Sequence, residues 1–458
     1  MVVRPIGSWP LWNELPFGWH LARPSREGYG LAAIVLIGFG CAHSFGLYRP
    51  TGLVLVALGA CFVVLAATGE ARRATTATWC AAVFIGALST GVLFHISSLG
   101  WLVPLAGGAG AVLAVVVSRT LLRVCGCVLA AAMNLAVLVE HLRWGRAPID
   151  VFDFAQRASL QLLHGQDPYL LAYPTTTPNL PLAHYPFWPG VVLLSIPGRL
   201  VGDVRVSNLL AAAALIASLT VMAKRHGGAQ LGWRCLALCL TLPFWPAMIR
   251  QAWAEIFFIS AVALWLSLRE SHRASAVLIL GVGMATVATG LALLVLPFLW
   301  FRRARLEISA ALVPALIICL PFVFWVGPAH FLSYTVLTQV HLPPRPDGLD
   351  LDSAWVRLTD TWLPVFLWPV LSALALVLMA RTLPQTWSNA FYRGATFLVI
   401  AFLYAKWAFF NYYFLVVLAV IAAMAVDEYR RMAPDSAPSY ERSGLAPAPV
   451  VAAGEAGR

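Results

Sequence analysis

The chain has 458 residues, of which hydrophobic types make up 60% and charged types only 11%. A soluble domain carries roughly a quarter charged residues, so this composition excludes an ordinary soluble domain and describes an integral membrane protein. The formal charge of +11 raises nucleic acid as a partner, but the basic residues are almost all Arg, set in short clusters between apolar runs with no basic stripe interleaved with aromatics. They read as topology-determining charge, and no nucleic-acid partner is expected.

Residues 1–30 form a cytoplasmic N-terminal segment in which Arg4, Glu14, Arg23 and several prolines precede any long apolar run. No cleavable signal peptide is evident there, so the first membrane helix serves as the insertion signal. Runs long enough to span about 30 Å of hydrocarbon follow near 31–48, 51–68, 77–95, 101–118 and 122–140, making 31–140 an N-terminal transmembrane region. The eight cysteines all fall inside apolar runs. They read as small core residues, without disulfides and without metal. Residues 141–203 come next, polar and acid-containing from 148 to 186, too interrupted to cross and suited to interfacial helices. Further apolar runs lie near 186–201, 204–223, 231–248, 252–268, 276–300, 308–326, 361–380, 391–408 and 411–426, so 204–426 forms a C-terminal transmembrane region with a second large loop at 327–360. Residues 427–458, rich in Ala, Pro, Ser and Gly, read as a disordered cytoplasmic tail.

Orientation follows from where Arg and Lys gather. With the N-terminus cytoplasmic, Arg72, Arg73, Arg119 and Arg123 lie inside and the 141–203 loop outside. Lys224 with Arg225, Arg269 with Arg273, and Arg302, Arg303 and Arg305 are all inside as well, provided that 186–201 lies along the outer interface and 276–300 is a broken helical hairpin turning near Ala288, Thr289 and Gly290. The result is an all-α polytopic protein with about 13–14 crossings and both termini inside. Polar groups then collect at the outer face: Asp150, Asp153 and His184 in the first loop, Arg250, Gln251 and Glu255 at a helix start, and Lys406 with Asn411 near the end. The 327–360 loop adds His330, Gln339, His341, Arg345, Asp347, Asp350 and Asp352 to the same face.

Several short elements occur in a fixed order: Asp150 followed four positions on by Phe154, the Gly165-Gln-Asp-Pro-Tyr169 element, Tyr185-Pro186 opening an apolar stretch, Gln251-Ala-Trp-Ala-Glu255 at a helix start, Leu342-Pro-Pro-Arg-Pro-Asp347, and Lys406-Trp-Ala-Phe-Phe-Asn411-Tyr412-Tyr413. In order and placement this stretch, roughly 148–426, resembles the polyprenol-phosphate-sugar-dependent glycosyltransferases of the GT-C fold, and among them the GT87 mannosyltransferase-like group. The resemblance implies an outer-face active-site cavity, a polyprenyl-phosphate sugar donor, possible in mannose form, a glycan or glycolipid acceptor, and no metal or other cofactor. It further implies substrate contacts from Tyr169, His184, Tyr185, Arg250, Gln251, Glu255, Arg345, Lys406, Asn411 and Tyr412. The chain departs from that pattern in two ways. Four extra helices precede the one that leads into the acidic loop, and the broken hairpin carries no Lys, so the cation meeting the donor phosphate must come from elsewhere, with Lys406, Arg250 and Arg345 as candidates.

The chemistry can be put in residues. Sugar transfer from a lipid phosphate to an alcohol needs a base for the hydroxyl proton, cations for the leaving phosphate, and a groove for a polyprenyl chain; one carboxylate suffices as base in an inverting displacement because phosphate leaves without an acid. Asp150 is the candidate base and Asp153, three residues on along a helix, its close rival. Against this stands the ordinary use of Asp150 as the cap of a helix starting at Val151. Glu255 reads equally as a site residue or as a buried partner of Arg250 or Lys406. Pro168 and Tyr169 read as turn-makers first, His184 as structural first, and the Asp350-Leu-Asp352 spacing as a chance match to a metal motif. Two other classes remain open: a secondary transporter, which places its polar groups near the midplane and shows inverted repeats, and a non-catalytic envelope-polysaccharide assembly protein. With two lysines against a large excess of Arg, and abundant Ala, the composition suggests a GC-rich bacterial source and a plasma-membrane location.

Overall fold

The computed structural model describes residues 25–44, 47–69, 72–93, 100–143, 150–174, 182–287, 289–338, 345–381, 386–405 and 408–427. The expected tail and most of the N-terminal segment lie outside the described residues, as does Lys406. What is described is helical apart from one short hairpin of two antiparallel strands, β1 (Ala172–Pro174) and β2 (Leu182–His184), paired with Ala172 opposite His184.

Five helices open the chain in chain order: α1 (Arg26–Ser44), α2 (Pro50–Thr68), α3 (Thr76–Leu93), α4 (Leu102–Val116) and α5 (Thr120–Arg143). Each covers one of the first five apolar runs. α1 packs on both α2 and α3, α3 on α4 and α4 on α5, the α1–α2 and α4–α5 pairs most extensively. At the α4–α5 crossing Gly110 and Gly126 face each other, and a Cβ on Gly126 would overlap the Gly110 carbonyl oxygen. Small residues let two backbones approach where apolar side chains alone offer no preference between protein and lipid.

The polar loop folds into α6 (Val151–Leu163), the hairpin and α7 (Pro189–Leu200). At about 18 Å, twelve residues of helix fall short of a bilayer. Two long helices follow differently: α8 (Arg205–Gly227) is continuous, but the apolar run at 231–248 divides into α9 (Ala229–Leu240) and α10 (Trp245–Arg250). Pro243 and Pro246 stand at the break, where a missing N–H and a ring clash end a helix, and the Trp245 indole donates to the freed Cys239 carbonyl at 2.5 Å.

After α11 (Glu255–Leu268), the run at 276–300 also divides, into α12 (Arg273–Met284) and α13 (Ala292–Trp300) with a 3₁₀ turn at Thr289–Leu291. The chain reverses there. The next helix, α14 (Arg302–Val326), lies parallel to α12, with Arg273 beside Glu307 and Gly281 beside Ala311 and Pro314. The tip of the turn is pinned by the Gly190 N–H donating to the Ala285 carbonyl at 2.9 Å. α14 starts six residues before the apolar run that announces it, because Arg302, Arg303 and Arg305 are good helix formers. The chain closes with α15 (Pro328–Leu332) and a π turn at Ser333–Leu337, then α16 (Leu351–Thr359), α17 (Leu367–Arg381), α18 (Trp387–Leu403) and α19 (Phe410–Ala425). α19 is apolar all round and buried at every position but Tyr412, which makes it the central helix.

Among the described residues four helical stretches are long and apolar enough to cross a membrane: Pro50–Thr68, Thr120–Glu140, Arg205–Gly227 and Arg302–Val326. Helix directions sort the connections to two ends. One end holds the α11–α12 turn and the start of α14. The other holds α6, the hairpin, α10, the 345–363 segment and the starts of α11 and α19.

Candidate functional site

α6 carries the two carboxylates. It is amphipathic, burying Val151, Phe154, Ala155, Ala158 and Ser159. The cap position is occupied by Asp150 with helical φ and ψ, and its side chain makes no capping hydrogen bond. The ordinary structural use of an Asp at that position is therefore not what this residue does. Asp153 follows in the first turn, half-buried. Gln156 anchors the helix to the start of α8, donating to the Gly202 carbonyl at 2.9 Å and accepting from the Val204 N–H at 3.0 Å.

Ala155 of α6 packs on Val204 and Ala252, which seats α6 on the segment between α10 and α11. That segment is strained. The Trp253 N–H bonds the Met248 carbonyl and the Ala252 N–H the Ile249 carbonyl, the pairing of a Schellman cap, and Ala252 takes the left-handed position at φ +55° that glycine normally fills. Left-handed backbone costs a residue with a Cβ about 1 kcal/mol or more. The strain is held by tertiary contact: the Asn208 side-chain amide of α8 donates to the Trp253 carbonyl at 3.0 Å.

Just past the cap, Glu255 meets the start of α19. Glu255 is buried, and its Oε1 accepts from the Asn411 side-chain amide at 2.7 Å across 156 positions of chain. Its neighbour on the other side of the strained turn, Gln251, is also buried, and Tyr412 follows Asn411. Four oxygens here, Gln251 Oε1, Glu255 Oε2, Asn411 Oδ1 and Asn208 Oδ1, are buried with no hydrogen-bond partner among the described residues. Each such atom costs about 1–3 kcal/mol unless something donates to it. The anticipated partners of Glu255 were Arg250 or Lys406; the partner the structure provides is Asn411.

Tyr169, His184 and Tyr185 fall in a separate place. Tyr169 and Tyr185 are fully buried in a second apolar core with Phe154, Tyr173, Phe322 and Phe331. Tyr169 donates to the Phe187 carbonyl at 2.8 Å, and Asp167 accepts from the Tyr169 N–H at 2.8 Å, closing the turn that Asp-Pro-Tyr favours. His184 stacks on Tyr334 with ring centroids 4.0 Å apart. These side chains shape the loop and hold α6 against α14.

Arg345 lies in a third place. It pairs with Asp347 at 2.6 Å and sits over the Phe409 ring. The segment from 345 to 363 clasps the chain just before α19: the Leu349 N–H donates to the Ala408 carbonyl at 2.6 Å, and the Ala408 N–H to Asp350 Oδ2 at 3.0 Å. Asp350 Oδ1 meanwhile caps α16 through the Ser353 N–H at 2.7 Å, and Asp352 accepts from the Leu363 N–H at 2.8 Å. The Asp-Leu-Asp carboxylates are thus used on backbone. Burial pushes the Asp350 carboxyl up to about 7, against the pull of the Ser353 and Ala408 donors. Among the described residues no group of three or more His, Cys, Asp or Glu is arranged to hold a metal ion.

Of the residues singled out from sequence, the structure brings together Gln251, Glu255, Asn411 and Tyr412, with α6 and its Asp150 and Asp153 seated on the adjoining strained turn. Three contributors were not foreseen. Asn208 had a signal, a lone amide in an Ala- and Leu-rich helix; Gln156 and Ala252 had none, since their roles depend on which helix lands beside them. No family model, no curated protein and no solved structure matches the chain.

Proposed function

We propose that the chain is a polytopic plasma-membrane glycosyltransferase of the GT-C type, moving a sugar from a polyprenyl-phosphate donor to a glycan or glycolipid acceptor at the outer face. The observation that supports this reading is the seating of α6, which carries Asp150 and Asp153, on the strained Ala252 turn, the turn that Arg250, Gln251 and Glu255 flank and that lies at the same end of the bundle as Asn411. A polyhydroxylated substrate supplies the donors those oxygens lack. Asp150 or Asp153 serves as base for the acceptor hydroxyl, and Arg250, with Lys406 or Arg345, faces the departing phosphate.

The test is transfer from a polyprenyl-phosphate sugar by purified protein in detergent. Asp150→Asn lowers turnover by about a hundred- to ten-thousand-fold in a protein that still folds. Near wild-type rates in both Asp150→Asn and Asp153→Asn rule the reading out. Orientation is checked with a membrane-impermeant thiol reagent: cysteines placed at the exposed Gln166 and Thr361 react in intact cells, and one at Arg302 reacts only after permeabilisation.

A second reading draws on one observation. The turn between α12 and α13 brings Gly290 against Phe258, one turn along α11 from Glu255, and a broken helix beside a buried acid is also how transporters build a binding site. Substrate uptake into proteoliposomes that Glu255→Gln abolishes, with no sugar transfer in the wild type, would establish that reading instead.

A further inference from the structure

The opposite end of the bundle holds a site that sugar transfer does not use. Glu307 of α14 is fully buried and gathers three guanidiniums: Arg303 at 3.0 Å, Arg269 at 3.2 Å and Arg273 at 3.5 Å, with the Trp265 indole donating to it at 2.9 Å. Between residues 269 and 307 the chain places five arginines and two glutamates at this end, leaving three positive charges in excess. The residues preceding α12 and α14, His272 and Phe301, make no side-chain cap bond, so both helices turn uncapped N–H groups and the positive ends of their dipoles the same way.

Arg273 is half out of this knot, with its side chain 56% exposed. It stands at the mouth of a groove of about 630 Å³ between α12 and α14, walled by Val277, Leu278, Val313 and Ile317. The two helices come closest further along, where Gly281 lies against Pro314 and the Ala311 carbonyl. From Glu307 to Ile317 it runs about 15 Å along α14. That is about half of the ~30 Å hydrocarbon core, the depth of one leaflet. A cationic head joined to an apolar trough one leaflet deep is complementary to a single kind of molecule.

We infer that the α12–α14 groove binds one anionic phospholipid, its acyl chain along Leu278 and Val313 and its phosphate against Arg273 and the uncapped start of α12. Glu307 is the positioning residue, since it holds the guanidiniums in place while remaining shielded from the lipid phosphate. The inference needs the chain to sit in a membrane but not to transfer sugar.

The experiment compares phosphatidylglycerol, phosphatidylcholine with the same acyl chains, and glycerol phosphate, each added to the purified full chain in detergent. Bound lipid is counted by native mass spectrometry and stabilisation by thermal unfolding. Phosphatidylglycerol binds about tenfold more tightly than phosphatidylcholine, and glycerol phosphate does not substitute for it. Arg273→Gln brings the two lipids to parity, and Leu278→Trp, which fills the trough, loses both; each replaces a side chain exposed at the helix surface, and lipid-free unfolding confirms that the variants fold. Equal binding of the two lipids by the wild type overturns the inference, as does an Arg273→Gln protein that keeps the preference or a Leu278→Trp protein that binds as before. Glycerol phosphate binding as tightly as phosphatidylglycerol reduces the site to a headgroup site and overturns the groove.

Discussion

Of the three glutamates buried among the described residues, Glu27, Glu255 and Glu307, the last two lie at opposite ends of the bundle and are treated in opposite ways. Glu307 has three arginines and an indole N–H around it; Glu255 has one amide, from Asn411, and an oxygen with no partner among the described residues. A buried charge that is fully matched is costly to break, whereas one left partly unmatched is open to completion by a group from outside the chain. The comparison separates a structural knot from a site, using two side chains of the same type in the same kind of surroundings.

The largest effect falls on the knot. Glu307→Gln leaves three guanidiniums without their common counter-charge, and stability drops by about 3–5 kcal/mol, measured by denaturant unfolding in detergent. A loss below about 1 kcal/mol would show that the arginines find other partners and would remove the contrast with Glu255.

Next is the clasp that joins the two loops at the site end. The Asp350 carboxyl, ordinarily near 3.8, titrates at about 7 in the folded chain, so the folded state holds its proton across a window where the unfolded chain has released it. Stability is therefore full at pH 4 and falls as the pH rises through 7, by roughly 2–4 kcal/mol over that window. Asp350→Asn gives up one of two backbone bonds but removes the slope, which a pH series of unfolding midpoints reads directly. An unchanged slope in that variant assigns the titration to another group.

Glu255→Gln sharpens the comparison from the other side. Gln keeps the oxygen that Asn411 bonds, so stability stays within about 1 kcal/mol, while transfer falls by about a hundredfold, near 3 kcal/mol of barrier. Lost stability with unchanged transfer would make Glu255 a second structural residue. The smallest effect is at Ala252. Glycine there relieves the left-handed strain at the cost of a looser unfolded chain, a net gain of about 0.5–1 kcal/mol. If transfer nevertheless falls in Ala252→Gly, the turn's rigidity serves the site that α6 shares with it.

How far the site was legible in the sequence can be judged residue by residue. Glu255, Gln251 and Asn411 stood out because an ionisable or amide group in an apolar run has few innocent explanations. Asp150 was visible as an acid in a polar loop lodged between apolar runs, and its failure to cap α6 was a matter of geometry that no pattern carries. Tyr169, His184 and Tyr185 were equally visible, yet they lie in an aromatic core with Phe154 and in a ring stack with Tyr334. A Tyr in a polar loop reads alike whether it points to solvent or to Phe322.

The residue pattern alone sets the helical architecture and its breaks. Apolar runs of set length, prolines at 243 and 246, and the interrupted stretch at 285–291 dictate where helices form and end, because backbone polar groups away from water must bond within their own segment. The arginine clusters likewise marked an end of the bundle, and Arg269, Arg273 and Arg303 meet there on Glu307. Only the tertiary structure decided which polar groups meet. Asn411 reaches Glu255 across 156 positions, Gln156 reaches Gly202 across 46, and Ala252 is forced left-handed under α6. Local sequence sets the period of a helix, but its rotation and its neighbours come from the packing of every other helix, and those alone settle whether a buried oxygen finds a donor.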